Sequence, residues 1–143
     1  MQNDARASIR VVDVVLRAAI VGLTLATAAI HSTLGGTLFT LNAIGYVVLA
    51  SAMVVPASFF ADVRWLTRLA LIGYTAATVV GWYAFGPRYD TAYIAKGIEL
   101  VLMALLVVES YHNDGSPVQI ARRIAGLVGK VLPGRSSGTP RAV

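Results

Sequence analysis

An uncharged run of 44 residues, from Ala18 to Ala61, limits most strongly how this chain can fold. A single helix of that length would be about 66 Å long, roughly twice the thickness of the hydrocarbon core of a bilayer. The run must therefore turn back on itself, and the segment HSTLGGT (31–37) supplies polar residues and glycines for a turn. This pattern predicts a hairpin of two membrane-spanning helices.

Two further apolar stretches follow, from Leu69 to Pro87 and from Ala92 to Val108. Membrane helices need roughly 20 residues to cross the core, whereas membrane strands are shorter and alternate strictly. Only 13% of the 143 residues are charged, about half the fraction in a soluble domain. The sequence therefore predicts an all-α membrane protein with a bundle of four transmembrane helices in one domain, residues 11–112. The predicted spans are 11–31, 38–60, 65–86 and 91–111.

The basic residues predict the orientation of the chain in the membrane. Ten of the twelve lysines and arginines belong to the N-terminal segment, the loop between helices 2 and 3, or the tail. The opposite side has only Arg88 and Lys96. By the positive-inside rule, both termini are cytoplasmic in a plasma or inner membrane, with residues 1–10 as a cytoplasmic segment.

The N-terminal part also has features of a secretory signal peptide. Arg10 and Arg17 precede an apolar stretch that ends in Ala-Thr-Ala (26–28), a small-residue pattern typical of cleavage sites. An uncleaved first span fits the even number of helices and the charge bias better. Whether the first span is ever cleaved stays open.

The chain matches itself at an offset of 51 residues, where RAAIVGLTLAT (17–27) lies over RLALIGYTAAT (68–78). One more residue of offset places NAIGY (42–46) over IAKGI (94–98). This self-similarity predicts two duplicated helical hairpins, parallel and related by an axis along the membrane normal. Chance similarity between alanine-rich apolar helices is the alternative.

Small residues recur every four positions on helices 1 and 3. Such stripes let the backbones of membrane helices approach closely. We therefore expect helices 1 and 3 to pack against each other through them, or a homodimer to use them instead. The residues are Ala18, Gly22 and Ala26 on helix 1, and Gly73, Ala77 and Gly81 on helix 3.

Lys96 and Glu99 place two charges inside the fourth predicted span. A charge within the bilayer costs free energy unless it pairs, snorkels or is neutralised, and residues at i and i+3 lie on one face and can pair. Either the pair is structural, or Glu99 is a protonatable group in an outward-facing cavity, tuned by Lys96. The corresponding positions of helix 2 are Ile44 and Val47, so only one hairpin would have acquired charges.

Other polar side chains lie at the same predicted outer level. The candidate site consists of Lys96 and Glu99 with His31, Asn42 and Tyr93. An asparagine within an apolar helix needs a hydrogen-bond partner, and helix–helix contact is its commoner use. The aromatic residues at this level are typical of an interfacial belt.

The sequence shows no constellation for catalysis or metal binding. Cysteine is absent, which excludes disulfides, thiolate metal sites and cysteine nucleophiles. His31 and His112 end helices on opposite sides of the predicted membrane, so they cannot flank one haem iron. We expect no cofactor, no metal site and no enzymatic activity.

The fourth helix should end within YHNDGSP (111–117), where Gly115 can stop it. The tail continues as a predicted basic amphipathic helix over residues 113–132. Its basic residues Arg122, Arg123 and Lys130 would lie at the anionic cytoplasmic leaflet. Residues 133–143 are rich in Pro, Gly and Ser and are predicted to be disordered. The net charge of +5 is explained by membrane orientation, so nucleic acid is not an expected partner.

Two functional hypotheses follow. In the first, this is a small non-catalytic accessory or scaffold protein that acts through its membrane-embedded faces, with a partner membrane protein or in a homo-oligomer. In the second, it is a small-solute or proton-coupled transporter or binding protein that uses Glu99 with Lys96.

Overall fold

The computed structural model describes residues 2–55 and 64–115, together with residues 119, 122, 124–126 and 128–129. Within these residues the chain is helical between short turns, and no strand occurs, as predicted. The long helices are α1 (Gln2–Thr33), α2 (Thr37–Val54), α3 (Arg64–Phe85) and α4 (Asp90–Asp114). Three segments are long and apolar enough to cross a membrane: Val11–Thr33, Thr37–Val54 and Asp90–Asn113.

Helix α3 corresponds to the predicted span 65–86 but is not among these three segments. It has the length of a membrane span. It is less apolar than those three segments, because it contains Arg64 and Arg68 together with several threonines, tyrosines and tryptophans. That α3 also crosses the membrane therefore stays a prediction. The last residues of the predicted span 38–60 lie outside the described residues.

Glycines form the turns that the sequence predicts. Gly35 and Gly36, between α1 and α2, have φ angles of 71° and 85°, and Gly115 after α4 has a φ of 85°. These positive values favour glycine, because a Cβ atom is strained there. The short α1–α2 and α3–α4 connections make each of these helix pairs antiparallel neighbours in a helical bundle.

The helices pack in a ring in which α1 contacts α2 and α4, and α3 contacts the same two neighbours. The predicted close contact between α1 and α3 through small residues is not present. Among the described residues, Gly22, Gly73 and Gly81 are exposed, with open space where a Cβ atom would lie. Ala18 and Ala77 are exposed and Ala26 is half-buried.

Larger side chains turn toward the centre of the bundle instead. Ile20 on α1 and Leu71 on α3 are fully buried, and on α4 one face bears Leu102 and Leu106, both 0% exposed. The outward faces are apolar as well, with Val14, Leu38, Val80 and Phe85 among the most exposed side chains. Helices that are apolar on all faces are typical of membrane proteins. Use of the small residues against another chain stays a prediction.

The burial pattern agrees with the sequence match in part. Thr24 of α1 and Thr75 of α3, which correspond at an offset of 51, are both 0% exposed. Ala50 of α2 and Leu102 of α4, which correspond at an offset of 52, are also buried.

The charged positions of α4 do not follow this match. On α2, Ile44 and Val47 are exposed, while their counterparts Lys96 and Glu99 on α4 are buried. The duplication itself therefore stays a prediction.

The predicted tail helix is described only in part. The described residues from 119 to 129 are helical, and Arg122, Ile124 and Val128 are exposed. Arg123, Lys130 and residues 133–143 lie outside the described residues. Attachment of this helix to a membrane surface stays a prediction.

Candidate functional site

Lys96 and Glu99 form the ion pair that their spacing allows. Lys96 Nζ donates to Glu99 Oε2 at 2.6 Å, and the glutamate is 0% exposed. Lys96 Nζ also donates to the backbone carbonyl oxygen of Thr78 at 3.2 Å. One lysine therefore binds the carboxylate of its own helix and the backbone of α3.

Two hydroxyl groups extend this pair to a third helix. Thr78 Oγ1 lies 2.9 Å from Glu99 Oε2 and 2.8 Å from the Thr75 carbonyl oxygen. Its single hydrogen can serve only one of these acceptors at a time. The Tyr46 hydroxyl of α2, 3.0 Å from Thr78 Oγ1, can donate to it.

His31 of α1 completes the group, which we call the outer network: His31, Tyr46, Thr78, Lys96 and Glu99. His31 Nδ1 lies 2.9 Å from the Thr27 carbonyl oxygen and must donate to it, because a carbonyl only accepts. His31 Nε2 faces Glu99 Oε1 at 3.6 Å, and this oxygen has no hydrogen-bond partner among the described residues.

The outer network brings side chains of all four helices to one place. Glu99 of α4 is approached by Lys96 of its own helix, by Thr78 of α3 and by His31 of α1. Tyr46 of α2 contacts Thr78. Polar contacts between helices of this kind contribute to helix packing within a membrane.

A cavity of about 460 Å³ lies beside the outer network. The predicted topology places this end of the bundle outside, and we call it the outer end. Lys96, His31, Thr78 and Asn42 contribute polar groups to the lining. The other lining residues are apolar, small or aromatic: Leu34, Leu38, Phe39, Leu41, Tyr74, Ala77, Gly81, Trp82, Phe85, Gly86, Pro87, Tyr89, Ala92 and Ala95.

The structure thus brings together most of the residues selected from the sequence. His31, Lys96 and Glu99 are in contact, and Asn42 lines the cavity. Tyr93 is not among the lining residues. Its ring packs edge-on against Trp82 with centroids 5.2 Å apart, and its side chain is half exposed.

Thr78, Tyr46 and Tyr74 were not selected as site residues from the sequence. The Tyr74 hydroxyl donates to the Asn42 backbone oxygen at 3.2 Å, and its ring meets Tyr46 edge-on at 5.0 Å. The sequence did contain an indication of Tyr46 and Tyr74, because a tyrosine hydroxyl within an apolar helix must find a hydrogen-bond partner. The repeated pair Thr27 and Thr78 was a second signal.

A second polar group, the inner cluster, lies at the opposite end of the bundle. Glu109 is 1% exposed, and its Oε1 lies 3.6 Å from Arg17 Nε and 3.8 Å from Arg68 Nη1. Nearby, His112 Nε2 lies 3.6 Å from Asp13 Oδ1. Sequence analysis missed Glu109, although Arg17 and Arg68 correspond in the self-match and both approach this one carboxylate.

Two leucines of α4 separate the buried carboxylates of the outer network and the inner cluster. Glu99 and Glu109 share one face of α4, about 15 Å apart by helical rise. Leu102 and Leu106 lie between them on this face, and both are 0% exposed. The two carboxylates are therefore kept apart along α4.

Comparisons with known proteins add no relatives: no family model, no curated protein and no solved structure matches this chain. Among the described residues, no three His, Cys, Asp or Glu side chains lie together as a metal site would require. The function of the chain is therefore inferred from the chemistry of the outer network and its cavity.

Proposed function

We propose that this chain is a membrane protein that binds a small, mainly apolar molecule in the cavity at the outer end of a four-helix transmembrane bundle. The observation that carries the proposal is a largely apolar cavity of about 460 Å³, lined by His31, Thr78 and Lys96 of the outer network. Sites for small molecules are typically concave, largely apolar and of roughly 300–1,000 Å³, with a few converging polar groups.

The position of the ion pair favours binding over a purely structural role. A buried pair that serves only stability can often be replaced by apolar side chains without loss. Here Lys96, His31 and Thr78 line the cavity, and the groups around Glu99 come from all four helices. Such convergence beside a cavity is the arrangement expected of a binding site.

The apolar outward faces and the charge bias support placement in a plasma or inner membrane. Three segments have the length and composition of membrane spans. The less apolar helix α3 would cross as the fourth, with the inner cluster at its cytoplasmic end. In this orientation both termini are cytoplasmic, and the cavity opens toward the outer leaflet.

Filling the cavity should abolish binding. Gly81 lines the cavity, whereas Gly73, two turns earlier on α3, does not, and both have open space beside them. The chain is purified in mild detergent, and bound small molecules are extracted and measured by mass spectrometry. We expect about one molecule per chain from the wild type and from Gly73→Phe, and almost none from Gly81→Phe. No retained molecule in the wild type, or equal retention in both variants, would contradict the proposal.

An accessory role is the second candidate, favoured by the exposed small residues of α1 and α3. The open space beside Gly22 and Gly73 would let a helix of another chain approach closely. The same two variants separate the candidates, because both glycines belong to the small-residue stripe of α3 but only Gly81 lines the cavity. A packing surface on α3 should be damaged by Gly73→Phe as well as by Gly81→Phe, and both variants should then release a partner or a second copy.

A further inference from the structure

The cavity walls favour a flat, apolar body for the bound molecule. Aromatic side chains line the cavity, among them Phe39, Tyr74 and Trp82. Trp82 is held in place, since its Nε1 donates to the Pro87 carbonyl oxygen at 2.9 Å and Tyr93 packs on its ring. Fixed aromatic surfaces pack well against ring systems, in stacked or edge-on arrangements.

The polar end of the cavity favours a hydrogen-bond acceptor on that molecule. A lysine ammonium group has three N–H donors and no acceptor. Lys96 uses one donor for Glu99 Oε2 and one for the Thr78 carbonyl oxygen. The third remains for a ligand atom in the cavity, and that atom must be an acceptor, such as a carbonyl oxygen.

The charge balance favours a neutral acceptor. The positive charge of Lys96 is already offset by Glu99, which lies 2.6 Å away and is 0% exposed. An anionic ligand would add an uncompensated negative charge close to this buried carboxylate, which is unfavourable. A ketone or quinone oxygen accepts the hydrogen bond without that charge.

We propose that the bound molecule is a neutral, lipid-soluble ring compound that presents a carbonyl oxygen to Lys96, the chemical class that includes the quinones. This inference rests on the proposed function and specifies its ligand. The ring lies among the aromatic walls, and the carbonyl oxygen accepts a hydrogen bond from Lys96 Nζ. Glu99 and His31 lie next to this contact.

The two tryptophans of the chain provide a reporter and its control. Trp82 lines the cavity, and Trp65 lies on the same helix about 26 Å away by helical rise. Trp65→Phe leaves Trp82 as the only tryptophan, and Trp82→Phe leaves Trp65 to report partitioning into detergent. Menadione, a naphthoquinone, is the probe, because quinones quench indole fluorescence.

Menadione should quench Trp82 saturably and Trp65 only weakly and without saturation. 2-Methylnaphthalene lacks the carbonyl groups, and its affinity is measured by how well it displaces menadione. It should bind about tenfold more weakly than menadione, because a hydrogen bond from a charged donor contributes at least this much. The anion 2-naphthoate should also compete poorly. The double variant Lys96→Met, Glu99→Leu is made in the Trp65→Phe background. It should bind menadione about tenfold more weakly and should bind 2-methylnaphthalene with unchanged affinity.

Three results would overturn the inference. These are the absence of saturable quenching of Trp82, an affinity of 2-methylnaphthalene equal to that of menadione, and an affinity of 2-naphthoate higher than that of menadione. The competition series changes no residue of the outer network, so it decides the matter even when the double variant does not fold. Equal competition would leave the proposed function intact. Failure of the proposed function itself is shown separately, by the retention experiment with Gly81→Phe and Gly73→Phe.

Discussion

Replacing Glu109 with glutamine should lower the apparent melting temperature of the purified chain by about 6–20 °C. The side chain keeps its shape but loses the charge that faces Arg17 and Arg68. Arg68 is 4% exposed, so its guanidinium would lose a counter-charge that water cannot replace. Removing one member of a buried ion pair costs about 3–5 kcal/mol, and each kcal/mol shifts the melting temperature of a chain of this size by about 2–4 °C.

Asp90→Asn is the matched control for this prediction. Asp90 is an exposed carboxylate in the first turn of the same helix, and losing its charge should shift melting far less. Thermal unfolding of both variants in the same detergent makes the comparison. Shifts of equal size would mean that Glu109 is no more important for stability than an exposed carboxylate.

Replacing Lys96 with methionine should destabilise the chain to a similar degree, about 10 °C in melting temperature. This change removes the closest donor from Glu99, which is 0% exposed. Glu99→Gln should also destabilise, because Lys96 would then face an uncharged partner. Lys96→Met combined with Glu99→Leu should recover most of the loss, since replacing both members of a buried pair is often neutral or better.

The double variant also separates stability from binding. If the outer network recognises the ligand, the double variant should melt close to the wild type and yet lose selective binding. A wild-type-like melting temperature for Glu99→Gln would exclude a structural contribution of the pair. A double variant less stable than either single variant would show that the two charges do not act as a simple pair.

Features that depend on local spacing could be predicted from the sequence. The helices follow from apolar length, the turns from Gly35, Gly36 and Gly115, and the Lys96–Glu99 contact from its i, i+3 spacing. Each of these is decided within a few residues of the chain. The structure agrees with the sequence at all of them.

Features that depend on the rotation of one helix against another could not be predicted. Small residues suit both a close helix contact and a lipid-facing surface, so Gly22 and Gly73 did not reveal which face they occupy. The i, i+4 spacing of Asp13 and Arg17 would favour a local ion pair, but in the structure Arg17 faces Glu109 of another helix. The cavity is a space left between helices, and no residue pattern encodes its volume.

A crystal or cryo-electron microscopy structure of the chain in lipid would show whether the outer cavity holds a ligand. We expect density for one molecule there, with a ring beside Trp82 and an oxygen atom within hydrogen-bond distance of Lys96 Nζ. A cavity closed by side chains, or filled only by a phospholipid acyl chain with no polar atom near Lys96, would contradict ligand binding at this site.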